Sequence, residues 1–211
     1  MVSKFDKIFF DLDGTLSDSY KGIENGLWFA MRKSGIKDLT EKEIKSLIGV
    51  PLNESLKNIF GNDNNKIAEV IKSFREYYDN FGIYESELYP GIKEILHELS
   101  LTSDLYVITA KPAIYATKLL VHHNIASLFT NILGCQLDGI SFSKTALIRQ
   151  VPDIQQSIII GDKPQDISAG KEAGIKTGGV LYGYGTKQEI TNSNPDFIID
   201  SVPALREILF K

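Results

Sequence analysis

The apolar run at residues 8 to 10 ends at two carboxylates, Asp11 and Asp13, which are followed by Gly14. An apolar run that stops at a glycine is typical of a buried strand leading into a tight turn. Residues i and i+2 of a strand point to the same side, so the two carboxylates would converge on one site. Neighbouring carboxylates repel each other unless a cation lies between them, and Mg²⁺ is a natural candidate because it prefers oxygen ligands. The alternative is an ordinary Asp-Gly turn.

The length and composition limit the classes of protein to which the chain can belong. A chain of 211 residues forms one large domain or one domain with a smaller one, and 43% hydrophobic with 24% charged residues is ordinary for a globular protein. The net charge of −4 argues against general nucleic-acid binding but permits a small anionic substrate. The single cysteine, Cys135, excludes an intrachain disulfide and fits a reducing compartment. Because Asp11 interrupts the N-terminal apolar run, we expect no signal peptide, no membrane span and a cytoplasmic location.

Hydrophobic periodicity divides the chain into two kinds of segment. From about residue 17 to residue 87 the apolar residues recur with helical spacing, which predicts a compact helical insert. After Pro90 and Gly91, short apolar runs alternate with helical patterns, with strands predicted near 105–108, 131–133, 157–160, 177–181 and 197–199. Such alternation predicts an α/β fold with a Rossmann-like parallel sheet covered by helices on both faces. The predicted core comprises residues 1–16 and 88–211, and the inserted helical domain comprises residues 17–87.

Polar side chains follow successive predicted strands of this sheet. Thr109 and then Lys111 follow the second strand, Lys144 follows the third, and Asp162 follows the fourth, with Asp166 four residues further on. In an open parallel sheet, ligands bind beyond the carboxyl ends of the strands. Each residue has an ordinary alternative: a helix N-cap for Thr109 or Asp166, a surface lysine for Lys144, a turn for Asp162. Their joint placement nevertheless predicts one polar site on a single rim.

These motifs, taken in order, resemble those of the haloacid dehalogenase superfamily of phosphatases. The resemblance rests on the stretch Asp11-Leu12-Asp13-Gly14-Thr15-Leu16 together with the four residues Thr109, Lys144, Asp162 and Asp166, and it covers essentially the whole chain. A helical insert directly after the first motif is similar to the small cap of the phosphoglycolate phosphatase-like branch. In that comparison, residues 47–52 resemble the substrate-facing segment of the cap, and residues 179–185 match the run that follows the last motif.

Two features of the sequence leave the substrate open. Many relatives carry an asparagine after the threonine of the second motif, whereas this chain has Ala110, which leaves a phosphate contact to the Ala110 backbone N–H. Residues 110–116 and 136–139 also resemble a subgroup with 5′-nucleotidase activity. The resemblance therefore implies a phosphoglycolate phosphatase-like phosphomonoesterase, with a nucleoside monophosphate as the alternative substrate.

The resemblance also implies a mechanism that depends on Mg²⁺. Asp11 would attack the phosphoryl group and become an aspartyl phosphate, and it would bind the metal together with Asp162 and the Asp13 backbone carbonyl. Asp13 would protonate the leaving oxygen and then deprotonate the attacking water. That role requires a neutral Asp13 carboxyl at the first step, so this carboxyl should not be a direct metal ligand.

The remaining site residues have implied roles in binding phosphate. Thr109 and the N–H of Ala110 would hold its oxygens, as would the backbone N–H groups around Leu12 to Gly14. Lys144 would balance their charge and that of Asp11. Asp166 would either hold metal-bound water or orient Lys144, and the sequence does not separate these two roles.

Other functions remain open at this point. A sugar phosphomutase on the same fold and a non-catalytic phosphate- or metal-binding module are alternatives, whereas dehalogenation is disfavoured because an acidic pair with magnesium suits phosphoryl chemistry. The expected partner is a small phosphate ester, with no nucleic acid and no membrane, and we expect a monomer or a homodimer.

Overall fold

The strands form one large sheet and one small one. The structure, a computed structural model, describes residues 2–36, 39–48, 52–136 and 143–211. The strands are β1 (Lys7–Phe10), β2 (Ser17–Asp18), β3 (Glu87–Leu88), β4 (Asp104–Pro112), β5 (Asn131–Cys135), β6 (Ser157–Gly161), β7 (Lys176–Val180) and β8 (Phe197–Ile199). Six of them make a parallel sheet in the order β5-β4-β1-β6-β7-β8, while β2 and β3 pair antiparallel. The predicted parallel sheet is therefore confirmed, with β1 between β4 and β6.

Ten α-helices lie in the described residues. They are α1 (Tyr20–Lys33), α2 (Glu41–Ser46), α3 (Leu52–Phe60), α4 (Asn64–Asn80), α5 (Ile92–Leu99), α6 (Ala113–His122), α7 (Lys144–Arg149), α8 (Pro164–Ala173), α9 (Lys187–Asn192) and α10 (Val202–Leu209). Short 3₁₀ helices follow α4 and α6, at Gly82–Glu85 and Ala126–Leu128. None of the helices in these ranges is long and apolar enough to cross a membrane.

Helices cover both faces of the sheet, as predicted. Successive residues of β1 alternate between two hydrophobic clusters: Ile8 and Phe10 belong to one, and Phe9 belongs to the other. The first cluster contains residues of α5, α6 and α10, such as Leu96, and the second contains residues of α7 and α8, such as Ile148. All five side chains are buried, so each face of this central strand is packed against helices.

The chain leaves the large sheet just after β1 and returns just before α5. The segments in which the chain leaves and returns, β2 and β3, pair with each other: Ser17 lies opposite Leu88, and Asp18 lies opposite Glu87. Between these segments, α1 to α4 share a third hydrophobic cluster of their own, which includes Leu27, Ile44, Leu56, Ile67 and Val70. Periodicity correctly indicated helices in this segment.

The structure differs from the sequence-based expectations at one strand end and one helix start. Strand β4 continues to Pro112 instead of ending at Thr109, and its pairing with β5 shifts register between these two residues. Helix α8 begins at Pro164, with Asp166 in its first turn and not at the N-cap. The stretch from Gly49 to Pro51, where a glycine and a proline predict a break between two helices, lies outside the described residues.

Candidate active site

The loop after β1 brings Asp11 to the floor of the candidate site. The Asp11 N–H donates to Ile160 O of the neighbouring strand at 2.9 Å, so the backbone still follows the sheet at this residue. The chain then turns, and Leu12 O accepts from the N–H groups of Leu16 and Ser17, both at 3.0 Å. The Asp11 side chain consequently emerges at the carboxyl end of the central strand, where sequence reasoning expected it.

Lys144 lies between two acidic side chains. Its Nζ is 2.9 Å from Asp11 Oδ1 and also contacts Asp166 Oδ1. The Ser143 side chain caps α7 by accepting from the Ala146 N–H, which fixes Lys144 at the first position of this helix. Burial lowers the pKa of Lys144, but the adjacent carboxylates of Asp11 and Asp166 outweigh burial and raise it, so the ammonium stays charged.

Three carboxylates form a buried cluster beside this lysine. Asp11, Asp162 and Asp166 each offer an oxygen within 4.8 Å of the others. Burial raises the pKa of Asp11 to about 7, assisted by the charges of Asp166 and Asp162, although Lys144 lowers it. Burial and the charge of Asp166 likewise raise the pKa of Asp162 to about 6. The Tyr184 N–H, which donates to Asp162 Oδ2 at 2.7 Å, lowers this pKa in part. So much buried negative charge favours a cation at this position.

The donor set of the cluster fits a hard divalent metal. All three side chains supply carboxylate oxygens, which Mg²⁺ prefers. Asp11 Oδ1 is buried and lacks a partner with hydrogen-bond geometry among the described residues, even though the Lys144 ammonium is close. Both oxygens of Asp166 already have partners, because Lys144 contacts Oδ1 and the Lys163 N–H donates to Oδ2 at 3.0 Å. Asp11 therefore has the oxygen of this cluster that is most available to a metal.

Asp13 has a separate environment from the carboxylate cluster. Its Oδ2 pairs with Lys111 Nζ at 2.8 Å, and Lys111 also donates to Tyr78 OH at 2.9 Å. Burial lowers the pKa of Lys111, but Asp13 and Tyr78 outweigh burial and raise it, so this ammonium also stays charged. The Asp13 carboxyl lies outside the three-carboxylate cluster, and metal binding through the Asp13 carbonyl stays a prediction.

Glycine is required where the first loop approaches Asp162. Gly14 has φ +86°, and a Cβ at this position would lie 2.3 Å from Asp162 Oδ2. The Gly14 N–H donates to Ser17 O at 2.8 Å, so in this structure it is engaged within the loop and does not point to a phosphate. Thr15 Oγ1 donates to Asp162 Oδ1 at 3.3 Å from the same loop. The loop thus orients Asp162 from one side while Tyr184 holds it from the other.

A pair of glycine variants separates backbone strain from crowding at Asp162. Gly14→Ala and Gly61→Ala both place a side chain at positive φ, which costs about 1–2 kcal/mol. Gly61 has no atom within 4 Å of a Cβ, whereas Gly14 faces Asp162, so Gly14→Ala is expected to lose about 1–3 kcal/mol more. Urea denaturation measures the difference, and equal losses would mean that Asp162 moves aside freely.

A cavity opens between the end of the sheet and the helical segment. Asp11, Asp13, Thr109, Ala110 and Lys111 line it from the sheet. From the helical segment it is lined by Ile23, Leu47, Ile48, Leu52, Asn53, Ile71, Phe74, Arg75 and Tyr78. The predicted substrate-facing segment at residues 47–52 contributes its described members to this wall, while residues 49–51 lie outside the described residues. An ester bound here would therefore contact both parts of the chain.

The predicted phosphate-binding residues of β4 lie at this cavity. Thr109 is only 1% exposed, and its Oγ1 accepts from the Lys111 N–H at 3.2 Å. The alternative that Thr109 caps a helix is wrong, because α6 begins at Ala113 and its N-cap is Pro112. Gln136 also lines the cavity, whereas 137–139, the rest of the segment noted in the sequence, lie outside the described residues.

Sequence reasoning missed several contributors to the site. The sequence places Lys111 at a strand end without a role, and the helical spacing around Tyr78 predicts only that this residue packs inside the helical segment. Tyr184 holds Asp162 by its N–H, and its hydroxyl accepts from the Ser19 N–H at 2.8 Å. Lys111 stands two residues after Thr109 in an extended segment, which is a recognisable signal. The contacts of Tyr78 and Tyr184 join residues far apart in sequence and left no such signal.

Comparisons with known proteins identify the family. The sequence model of the haloacid dehalogenase-like hydrolases matches residues 8–180. A 5′-nucleotidase of Pseudomonas aeruginosa is 32% identical over 98% of this chain and 96% of its own length. A phosphoglycolate phosphatase of Vibrio vulnificus is 33% identical over 96% of this chain and 95% of its own length.

A solved structure supports the same assignment. A haloacid dehalogenase-like family hydrolase from Streptococcus pneumoniae superposes with a TM-score of 0.83 at 32% identity, covering 97% of both chains. Family, fold and relatives agree with the polar residues collected at the rim of the sheet. The chain is therefore a phosphatase and belongs to the haloacid dehalogenase-like hydrolase family.

Proposed function

We propose that the chain is a Mg²⁺-dependent phosphomonoesterase that cleaves a small phosphorylated metabolite through an aspartyl phosphate at Asp11. The observation that carries this proposal is the position of Asp11. Its carboxylate lies on the floor of the cavity, beside the charged Lys144 and within reach of Asp162 and Asp166. A buried nucleophile held between a fixed cation and a metal site suits attack on an anionic phosphoryl group.

The metal site would be formed by Asp11 and Asp162, with the Asp13 backbone carbonyl as a further ligand. A bound divalent ion supplies charge neutralisation for the attacking carboxylate and the phosphoryl oxygens. Asp166 contacts Lys144, which supports the orienting role considered for it in the sequence. Asp166 could both orient Lys144 and hold a water bound to the metal, since its carboxylate contacts Lys144 and belongs to the carboxylate cluster.

The covalent step forms one bond and breaks another. An Asp11 oxygen bonds to phosphorus as the ester oxygen departs with the proton of Asp13. In the second step a water oxygen bonds to phosphorus, its proton passes to Asp13, and the Asp11–phosphorus bond breaks. Asp13 suits this role because its carboxyl borders the cavity and stands apart from the carboxylate cluster.

The transferred phosphate would be held by groups from two strand ends. Thr109 and the Ala110 N–H would bind its oxygens from β4, and Leu12 together with Gly14 would do so from the first loop. Lys144 would offset the charge that develops on these oxygens. Of these groups, Gly14 would need to release its bond to Ser17 before its N–H could donate to a phosphate.

We further propose that residues 17–87 act as a cap on the core formed by residues 1–16 and 88–211. The shared hydrophobic cluster of α1 to α4 and the pairing of β2 with β3 support this division. Closure of the cap would exclude water from the first step, and reopening would admit it for the second.

Phosphoglycolate-like esters are our first choice of substrate, and nucleoside monophosphates are the alternative. The relative from Vibrio vulnificus bears the first activity in its name and the relative from Pseudomonas aeruginosa bears the second, at nearly equal identity. A panel of phosphoglycolate, nucleoside 5′-monophosphates and sugar phosphates distinguishes them by kcat/KM. Conversion of a hexose 1-phosphate to the 6-phosphate would instead reveal a phosphomutase.

Removal of divalent metal is expected to abolish phosphatase activity. Without the cation, Asp11 and Asp162 repel each other and the incoming phosphoryl group. Treatment with a chelator, followed by addition of Mg²⁺, should remove and then restore hydrolysis of p-nitrophenyl phosphate. Thermal unfolding offers a second readout, since Mg²⁺ should raise the Tm of the wild type but not that of Asp162→Asn. Full activity in the presence of chelator would contradict the metal requirement.

A further inference from the structure

Lys111 joins the proton carrier proposed above to the helical segment. Its Nζ lies 2.8 Å from Asp13 Oδ2 and 2.9 Å from Tyr78 OH, and it is 4.9 Å from the centroid of the Tyr78 ring. Asp13 follows the central strand, whereas Tyr78 belongs to α4 on the opposite wall of the cavity. One buried ammonium thus contacts both walls at the same time.

The pairing leaves the two oxygens of Asp13 in different states. Lys111 holds Oδ2, whereas Oδ1 is buried and has no hydrogen-bond partner within the described parts of the chain. Asp13 lines the cavity, and with Oδ2 held by Lys111 the unpartnered Oδ1 is the oxygen that we assign to proton exchange with a bound ester. The contact with Lys111 therefore fixes the rotation of this carboxyl without occupying the oxygen that reacts.

Tyr78 has a fixed position as long as α4 packs against the sheet. Its side chain is fully buried, with its ring stacked on Phe74 at 5.2 Å and edge-on to Tyr115 of α6 at 5.6 Å. If α4 moved away from the sheet, Lys111 would lose this hydroxyl as a partner. Lys111 would then be held only by Asp13 and free to turn with it.

We propose that Lys111 is a positioning residue that aligns Asp13 for proton transfer and that, through Tyr78, does so fully only when α4 lies against the sheet. This inference rests on the proposed function, since it takes Asp13 as the proton carrier. A positioning role for Lys111 can be told apart from a role in binding the transferred phosphate. Loss of Asp13 alignment slows an ester more when its leaving oxygen needs a proton, whereas loss of phosphate binding slows all esters alike.

The dependence on the leaving group tests this proposal. Lys111→Met is assayed with p-nitrophenyl phosphate, whose leaving group departs without a proton, and with alkyl phosphates, whose leaving groups require one. We expect a loss in kcat of less than about 10-fold for the aryl ester and of about 100-fold or more for the alkyl esters, since general acid catalysis typically contributes 10²–10⁴-fold. An equal loss for all esters would overturn the proposal in favour of phosphate binding.

Two further variants separate alignment from general damage. Lys118→Met is the matched control, because Lys118 also reaches α4 from the core, through an exposed ion pair with Asp79, and it should leave the rates unchanged. Tyr78→Phe keeps the ring and removes the hydroxyl. It should lower alkyl ester turnover more than aryl ester turnover, and the double variant with Lys111→Met should be no worse than Lys111→Met alone.

The outcomes also separate this inference from the proposed function. Wild-type rates for Tyr78→Phe on alkyl esters, or fully additive losses in the double variant, would overturn the link to α4. Failure of the wild type itself to hydrolyse any ester in the presence of Mg²⁺ would instead remove the proposed function, whatever the variants do.

Discussion

Asp11→Asn is expected to abolish phosphate ester hydrolysis while leaving the protein folded. The amide has nearly the same shape as the carboxylate but cannot form the aspartyl phosphate, so turnover of p-nitrophenyl phosphate should fall by on the order of 10⁴-fold or more. Folding should be preserved, because burial and the neighbouring charges of Asp166 and Asp162 already disfavour a charged carboxyl at this position. Steady-state kinetics and urea denaturation of the same sample measure both effects.

The control for this variant is Asp104→Asn. Asp104 is an exposed aspartate at the opposite end of the neighbouring strand β4, so its removal should change neither activity nor stability appreciably. Substantial activity of Asp11→Asn would exclude the covalent mechanism and leave direct attack by water as the route. Loss of folding in Asp11→Asn, which denaturation would reveal, would make the kinetic comparison invalid and would contradict the tolerance argued above.

Lys144→Met is expected to have the second largest effect, and it should act on both activity and stability. The substitution removes the charge between two buried carboxylates, Asp11 and Asp166. Breaking a buried ion pair from one side typically costs about 3–5 kcal/mol. Activity should fall by about 10²-fold or more, since a fixed charge near the transferred phosphate is lost.

Lys176→Met supplies the matched comparison for Lys144→Met. Lys176 pairs with Asp196 at 2.6 Å, but its side chain is 60% exposed, so its removal should cost no more than about 1 kcal/mol. Mg²⁺ should recover part of the stability of Lys144→Met and none of that of Lys176→Met, because only the first variant leaves carboxylates of the proposed metal site without the lysine charge beside them. Equal losses in the two variants would mean that Lys144 is not essential to the buried charge balance.

The fold and the ends of the strands were predictable because they depend on local patterns. Apolar runs that stop at polar residues marked the ends of β1 and β6, and the alternation of strands with helices indicated the parallel sheet. Asp11, Asp13 and Asp162 could be placed on one rim for this reason. Topology then brings these residues together, because parallel strands end at the same edge of the sheet.

The features that escaped prediction depend on contacts between distant segments. Strand β4 continues beyond its apolar residues because its backbone still pairs with β5 up to Cys135, which hydrophobicity does not report. The contact between Lys111 and Tyr78 depends on how α4 packs on the sheet. The position of Asp166 in the first turn of α8 was easier to predict from the sequence, since proline favours the first turn of a helix and Pro164 precedes Asp166 by two residues.

The pairing of β2 with β3 has a consequence for how the substrate range of such a chain can change. Because Ser17 lies opposite Leu88, the ends of the intervening segment are neighbours, about 5 Å apart as in any antiparallel pair. A single contiguous stretch of coding sequence can therefore be exchanged for another whose ends meet at a similar spacing. Asp162, Lys144 and Thr109 are all encoded after that stretch, and Asp11 before it. Recombination at two points would thus replace the helical wall of the cavity while the polar side chains at the rim of the sheet are inherited intact.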